Sequence, residues 1–510
     1  MPLNSIFGWI MKKRIHQIDL FRLHPVEVQQ EWLGKLIGQG KKTIYGIQNN
    51  FDKVTDYKTF REYVPLQDYD SLKGWIDKSI QGENDVLWPG ETKWFAKSSG
   101  TTSDRSKFIP VTKDSLEECH YKGGKDLLAL YYSQNPESHI YSGKHLVVGG
   151  SAVQNKLRAD SYTGDLSSII IKNLPWWVEI KRVPKKEIAL MGEWEAKIEK
   201  LANETMNADV SSISGVPSWT LVLLHRILEK KGETDIRKVW PNLELFMHGG
   251  VSFKPYEQEY KKIIPYDNMH YIESYNASEG FFGIQDKEFG DLLLMLDYGI
   301  FFEFIPMSDF KGVDSEKVID LSQVEENVNY AIVISTNGGL WRYIVGDTIR
   351  FTNLRPYRFV VSGRIRHFIN TFGEELIVEN ADEAIRKASE ETQSLVKDYT
   401  AAPVYMGDGE AGGHEWLIEF SKEPADLHNF TKRLDNHLRE LNSDYDAKRT
   451  KDLTLKMPLV RKARQNLFEE WLISKNKLGG QHKIPRLSND RKILEELLNI
   501  KDSTVFATDK

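Results

Sequence analysis

From about residue 94 to residue 353, short apolar runs that end in glycine or a polar turn alternate with helix-length stretches, and this alternation restricts the fold more than any other feature. His145-Leu146-Val147-Val148-Gly149-Gly150 is one such run, Leu243-Glu244-Leu245-Phe246-Met247-His248-Gly249-Gly250 another, and Tyr330-Ala331-Ile332-Val333-Ile334-Ser335-Thr336 a third. Between them, Pro217 to Lys230 has helical spacing with a proline in its first turn, where the missing N–H costs nothing. Strands interleaved with helices predict an α/β domain with substantially parallel pairing.

The flanks differ. Leu20, Leu23, Val26, Val28, Trp32, Leu33, Leu36 and Ile37 recur at near-helical spacing, so residues 15–90 are expected to be helices that wrap the main domain. A composition shift follows at Asn353-Leu354-Arg355-Pro356-Tyr357. Beyond it lie a strand, Glu415 to Phe420, and helices at Asn380–Glu391 and Leu427–Leu441, enough for one small α+β domain. The expected division is a large N-terminal α/β domain over 1–354, a hinge linker over 355–362 and a C-terminal α+β lid over 363–510.

The 510 residues carry a net charge of −6, which argues against a nucleic-acid or anionic-membrane partner, because both select a basic surface. The single cysteine, Cys119, cannot form an intrachain disulfide and is read as a buried thiol. Lys12, Lys13 and Arg14 follow the short apolar N-terminal run rather than precede it, the reverse of a secretory signal. No stretch approaches the roughly 20 apolar residues that span a bilayer. A cytoplasmic protein, monomeric or weakly dimeric, is expected.

Ser98-Ser99-Gly100-Thr101-Thr102-Ser103-Asp104-Arg105-Ser106-Lys107 follows the apolar Trp94-Phe95-Ala96. Hydroxyls and exposed N–H groups donate to phosphate oxygens, Gly100 lets the backbone approach an anion, and Lys107 adds a cation. The spacing is not that of a Walker A loop, and taken alone the segment also reads as a polar turn. Three more segments follow in order: Tyr275-Asn276-Ala277-Ser278-Glu279, Tyr343-Ile344-Val345-Gly346-Asp347, and Gly363-Arg364 through Gly373-Glu374.

In this order and at these separations, the four segments resemble the adenylate-forming enzymes. Within that superfamily the chain is most similar to the Gretchen Hagen acyl acid–amido synthetases, the auxin-responsive enzymes of plants and their bacterial relatives. The resemblance covers essentially the whole chain. It implies ATP and Mg²⁺ as cofactors, with Ser98, Ser99, Gly100, Thr101, Thr102, Ser103 and Lys107 gripping phosphate. Glu279 would hold the metal, Tyr275 would pack on the adenine face, although a core tyrosine at a strand end reads nearly as well, Asn276, Ala277 and Ser278 would lie along the nucleotide, and Asp347 would receive both ribose hydroxyls. Gly250, Val251 and Ser252 would line the adenine edge, although a plain strand-ending turn reads equally well. Arg364 would reach the nucleotide, and Lys483, in Gly479-Gly480-Gln481-His482-Lys483, would touch the reacting carboxylate and the α-phosphate. Ser214, Val216 and Trp219 either line an acyl pocket at the start of the helix from 217 or simply pack the core.

The activity implied is formation of an acyl-adenylate from a small carboxylic acid, then transfer to an amine, an amino acid by resemblance. An acyl-CoA ligase sharing the first half-reaction and a non-catalytic nucleotide-binding protein are the alternatives.

Overall fold

The computed structural model describes residues 2–98, 107–149, 156–158, 160–251, 253, 256–287, 290–365, 368–407, 411–450, 454–474, 484–500 and 504–505. Ser99, Gly100, Thr101, Thr102, Ser103, Ser252 and Lys483 lie outside the described residues.

Helices occupy much of the first 81 residues, as the apolar spacing predicts. Asp56 and Asp68 each close a capping box at the start of a helix, and Gly82 ends the second of those helices in the left-handed conformation. These helices bury Ile18, Phe21, Leu33, Phe60 and Leu72 against the main sheet. Among the described residues, no helix is long and apolar enough to cross a membrane.

Among the described residues the main sheet has twelve strands. Its order explains both what the apolar runs predict and where that prediction falls short. On one flank Arg182–Val183, Lys144–Val148, Val210–Gly215, Leu245–Gly249 and His270–Ala277 run parallel. From His270–Ala277 onward every pairing is antiparallel, starting with the Gly280–Gln285 strand. Parallel pairing therefore holds for one flank, not for the whole domain. The helix expected from Pro217 spans Pro217–Lys231, with proline at its first position and Gly232 at its left-handed end.

The expected linker over 355–362 needs correction. Arg355 and Pro356 do form a turn, but Tyr357–Arg364 is a strand of the main sheet, paired with Tyr343–Leu354 on one side and Leu292–Leu294 on the other. Phe359 is fully buried there, and that burial keeps the chain in the sheet past the proline. The segment leaving the sheet begins at Ile365.

The C-terminal part has its own four-stranded sheet, built on the pair Leu395–Val404 and Gly413–Lys422, with helices Val378–Thr392 and Leu427–Leu441 packed together. One hydrophobic cluster runs from this sheet, through Trp416 and Phe430, into the parallel flank at Leu223, Phe246 and Tyr260. Cys119 is buried as expected. Its Sγ accepts the Phe281 N–H at 3.2 Å, and burial pushes the thiol up to about 12.

Candidate active site

In α/β sheets, ligands lie outside the carboxyl ends of the parallel strands. Here those ends are Gly215, which leads through Val216 into the helix from Pro217, and Gly249, which leads into Gly250 and Val251. Gly215 stands beside His248 in register. A side chain on Gly249 would put its Cβ 2.3 Å from the Ser274 carbonyl, so only glycine lets the two strands close here. Gly250 has φ +81°, and its Cβ position lies 3.4 Å from Val216. The segments read as an adenine edge and as an acyl pocket are thus neighbours. His248 is buried and stacks on Phe253 at 4.4 Å; burial pushes its pKa down to about 3, so it is neutral.

Two hairpins bring the charged residues together. In the first, Ser278 and Glu279 form the turn between His270–Ala277 and Gly280–Gln285. In the second, Asp347 stands opposite Arg364. The Arg364 Nε donates to Asp347 Oδ1 at 2.7 Å, and its Nη1 donates to Glu375 Oε2 at 3.2 Å. Burial alone would make the guanidinium easier to deprotonate, but Glu375 and Asp347 more than offset it and hold the charge. The Tyr275 hydroxyl donates to the other Asp347 oxygen, while its ring sits edge-on to Phe282 at 5.0 Å. Each carboxylate oxygen has two lone pairs, so Asp347, oriented from both sides, still has acceptor capacity for two further hydroxyls.

Ser98 and Lys107 are register partners at the base of a strand pair, so both ends of the Ser/Thr-rich segment meet at one place. The Lys107 ammonium lies 5.8 Å from the centre of the Tyr69 ring, and the Tyr69 hydroxyl accepts the Phe108 N–H at 2.9 Å. Burial lowers the Lys107 pKa, while the charges of Glu279 and Glu375 act to raise it and that of Arg364 to lower it. Lys107, Glu279, Asp347, Arg364 and Tyr275 are therefore one electrostatic group, assembled from four sequence-distant segments.

Three family models fall in sequence along the chain: the GH3 family N-terminal domain on residues 14–269, its central domain on 293–364 and its C-terminal domain on 379–492. The chain belongs to the GH3 family. Among similar proteins, an indole-3-acetic acid-amido synthetase of Oryza sativa subsp. indica is 24% identical, over 95% of this chain and 92% of that one. A 4-substituted benzoates–glutamate ligase of Arabidopsis thaliana is also 24% identical, over 92% and 94%. Of solved structures, a GH3.15 acyl acid amido synthetase superposes with a TM-score of 0.58 at 17% identity, covering 94% of each chain. A 2-hydroxyisobutyryl-CoA ligase superposes with a TM-score of 0.52 at 12% identity, covering 92% and 91%. The chain shares its fold with both.

The GH3 central domain ends at Arg364 and the GH3 C-terminal domain begins at Glu379, so the segment between them joins two family units. The motif ending at Gly373-Glu374 marks Glu374, but not the bonds by which it anchors this segment. Buried Glu374 accepts the N–H groups of Thr371 and Phe372 at 3.2 and 2.6 Å and meets His414 Nε2 at 2.8 Å. The Tyr256 hydroxyl donates to the Thr371 carbonyl at 2.5 Å. Glu375 and Tyr69 also escaped the motif reading. Glu375 could have been found beside the quoted Gly373-Glu374; nothing in the sequence marks Tyr69.

A divalent cation fits this GH3 site. Glu279 is a partly buried carboxylate that forms no ion pair within 4 Å among the described residues, and burial pushes its pKa up to about 7, against an opposing pull from Lys107. Among the described residues no group of three His, Cys, Asp or Glu side chains gathers to hold a metal. A single hard-oxygen ligand suits Mg²⁺, which commonly takes one or two carboxylates and completes its shell with water and substrate phosphates.

The raised pKa has a consequence with a defined sign. Between the ordinary value of 4.5 and about 7 the folded protein keeps a proton that the unfolded chain has lost, so stability falls as pH rises through that window. Metal binding needs the deprotonated form, so its affinity moves the opposite way. Mg²⁺ affinity, measured by titration, is expected to be about tenfold weaker near pH 6 than well above pH 7. A flat profile would show that Glu279 does not ligate the ion.

Proposed function

We propose that the protein activates a small carboxylic acid with ATP as an acyl-adenylate and then transfers the acyl group to an amine, an amino acid, to give an amide and AMP. The observation that carries this reading is the convergence of Lys107, Glu279, Asp347, Arg364 and Tyr275 on one site. It also draws support from the amido synthetases and ligases among the similar proteins.

In the first half-reaction a substrate carboxylate oxygen bonds to the α-phosphorus and the bond to pyrophosphate breaks. Charge builds on phosphate oxygens, and fixed cations and donors placed there supply most of the acceleration. Glu279 would hold Mg²⁺, which when bound neutralises phosphate charge. The segment 98–107 grips phosphate, Asp347 takes the ribose hydroxyls, and Arg364 holds Asp347 in place. Gly250, Val251 and Ser252 border the adenine; Ser214, Val216 and Trp219 border the acyl group. In the second half-reaction the amine nitrogen bonds to the acyl carbon, the bond to AMP breaks, and the nitrogen sheds its proton.

The part of the chain that follows the Tyr357–Arg364 strand acts as the lid and carries Lys483 to the reacting carboxylate. Lys483→Ala is expected to slow ATP–pyrophosphate exchange about 10²–10³-fold while ATP affinity changes by no more than about threefold. Near-normal exchange would remove Lys483 from the mechanism. The protein works in the cytoplasm as a monomer or weak dimer, without nucleic acid or membrane partners.

An acyl-CoA ligase is the second reading, because a CoA ligase shares the fold at a TM-score of 0.52. A pyrophosphate-release screen of small carboxylic acids, run with mixed amino acids and separately with coenzyme A, tests both. Mass identification of an amide supports the first reading and of a thioester the second. No pyrophosphate with any acid would leave a nucleotide-binding protein without turnover.

A further inference from the structure

Beside the ribose and phosphate group lies a second set of charges that the adenylation chemistry leaves unused. Lys448 is 6% exposed, and its ammonium sits 3.9 Å from the centre of the Trp219 ring. Among the described residues the ammonium has no hydrogen bond and no ion pair. A buried ammonium without a carboxylate against it is unfavourable, so the position calls for an anion brought from outside. Asp165 precedes the helix Leu166–Asn173, where an aspartate ordinarily accepts a backbone N–H; here the side chain makes no such bond. Asp444, in the Ser443–Arg449 helix, also has no hydrogen-bond or ion-pair partner among the described residues.

Asp165, Asp444 and Lys448 lie within range of one another's charge. The other charged groups facing them are committed or exposed. Glu374 is bonded to His414, Glu375 to Arg364, and Lys197 to the Gly149 carbonyl at 3.0 Å, while Lys97 stands in solvent. Trp219 belongs to the first turn of the helix beside Val216, and Glu375 reaches the nucleotide site through Arg364. This charged cluster therefore adjoins the place where an acyl-adenylate would form. One cation and two carboxylates, each without a hydrogen-bond or ion-pair partner among the described residues, are the complement of a molecule that carries one anion and one cation on the same carbon.

We propose that this cluster, in which Asp444 and Lys448 stand one turn apart on the Ser443–Arg449 helix, binds the acceptor amino acid, its carboxylate on the Lys448 ammonium and its ammonium between Asp165 and Asp444. The proposal rests on the amide-forming reading above, which already takes an amino acid as acceptor, and adds to it the residues that seat that acceptor.

The test uses the full-length protein and an acid that the screen identifies. Glycine, glutamate and phenylalanine are compared with their α-carboxamides and with hydroxylamine, which lack the α-carboxylate. ATP–pyrophosphate exchange is followed in parallel. Lys448→Met is expected to raise KM for the amino acids about 10–100-fold, the loss of one charge-assisted hydrogen bond. Exchange and the KM for hydroxylamine should stay within about twofold, and Lys448→Arg should recover part of the loss. Asp165→Asn and Asp444→Asn should raise KM for amino acids and carboxamides alike. An unchanged amino-acid KM in Lys448→Met overturns the proposal. So does an equal rise for amino acids and carboxamides, and so does a fall in exchange, which would assign Lys448 to adenylation. If no acid supports exchange, the adenylation reading fails separately, and calorimetric titration of wild type and Lys448→Met with the three amino acids still reads the cluster. Absence of binding to the wild type in that titration overturns the proposal as well.

Discussion

Glu279→Gln is expected to lower ATP–pyrophosphate exchange about 10²–10³-fold at saturating ATP. Glutamine keeps the size and shape of the side chain at the hairpin turn, so the strands His270–Ala277 and Gly280–Gln285 should pair as before. What is lost is the negative charge, and an amide oxygen is a far poorer ligand for Mg²⁺ than a carboxylate. The variant also removes the group with a pKa of about 7, so the pH dependence of Mg²⁺ binding should flatten along with the rate. Exchange within about threefold of wild type would exclude Glu279 as the metal ligand. Because the substitution relieves a costly buried carboxyl, the melting temperature above neutral pH should hold or rise, and this separates loss of chemistry from loss of fold.

Arg342→Met should produce the largest loss of stability, about 3–5 kcal/mol. Arg342 and Glu303 are both buried and joined by bonds of 2.9, 2.9 and 3.2 Å, and a third nitrogen donates to the Val64 carbonyl at 2.8 Å. Glu303 accepts a further bond from the Tyr57 hydroxyl at 3.0 Å. The pair ties the N-terminal helices to the Ile300–Pro306 strand of the main sheet. Removing only the cation leaves a carboxylate buried without its partner, which costs more than the pair itself contributes. Denaturant melts should therefore show Glu303→Leu/Arg342→Met to be more stable than Arg342→Met alone. A double variant no better than the single one would mean that Arg342 acts through its packing and its bond to Val64.

Much of this architecture was legible because local physics sufficed. Leu427–Leu441 is a helix with the bounds that its apolar spacing predicts, and Pro217 opens its helix as a proline at the first position should. The direction of strand pairing was not legible, because a run such as Tyr330–Thr336 is equally apolar in a parallel or an antiparallel setting. The linker was misplaced for a related reason. Arg355-Pro356 marks a real turn, but whether the chain leaves the sheet after it depends on the burial of Phe359 against distant strands. At the site, the motifs supplied Glu279, Asp347 and Arg364 but not their partnership. Asp347 meets Arg364 through strand register, and Tyr275 reaches Asp347 across 72 residues of sequence. Lys448 carried no signal at all, since its significance lies in the ring beneath it and the carboxylates near it.

The pairing of Ser98 with Lys107 bears on how this protein could change. A segment whose two ends are fastened side by side is a cassette: its interior can be rewritten or lengthened without moving either attachment point. Loop closure becomes costlier only with the logarithm of length, about 0.6 kcal/mol for each doubling. Variation between Ser98 and Lys107 is thus nearly free of cost to the fold, and selection there can act on the grip on phosphate alone. Grafting the corresponding segment from another member of the family should transplant nucleotide preference while leaving the melting temperature almost where it was.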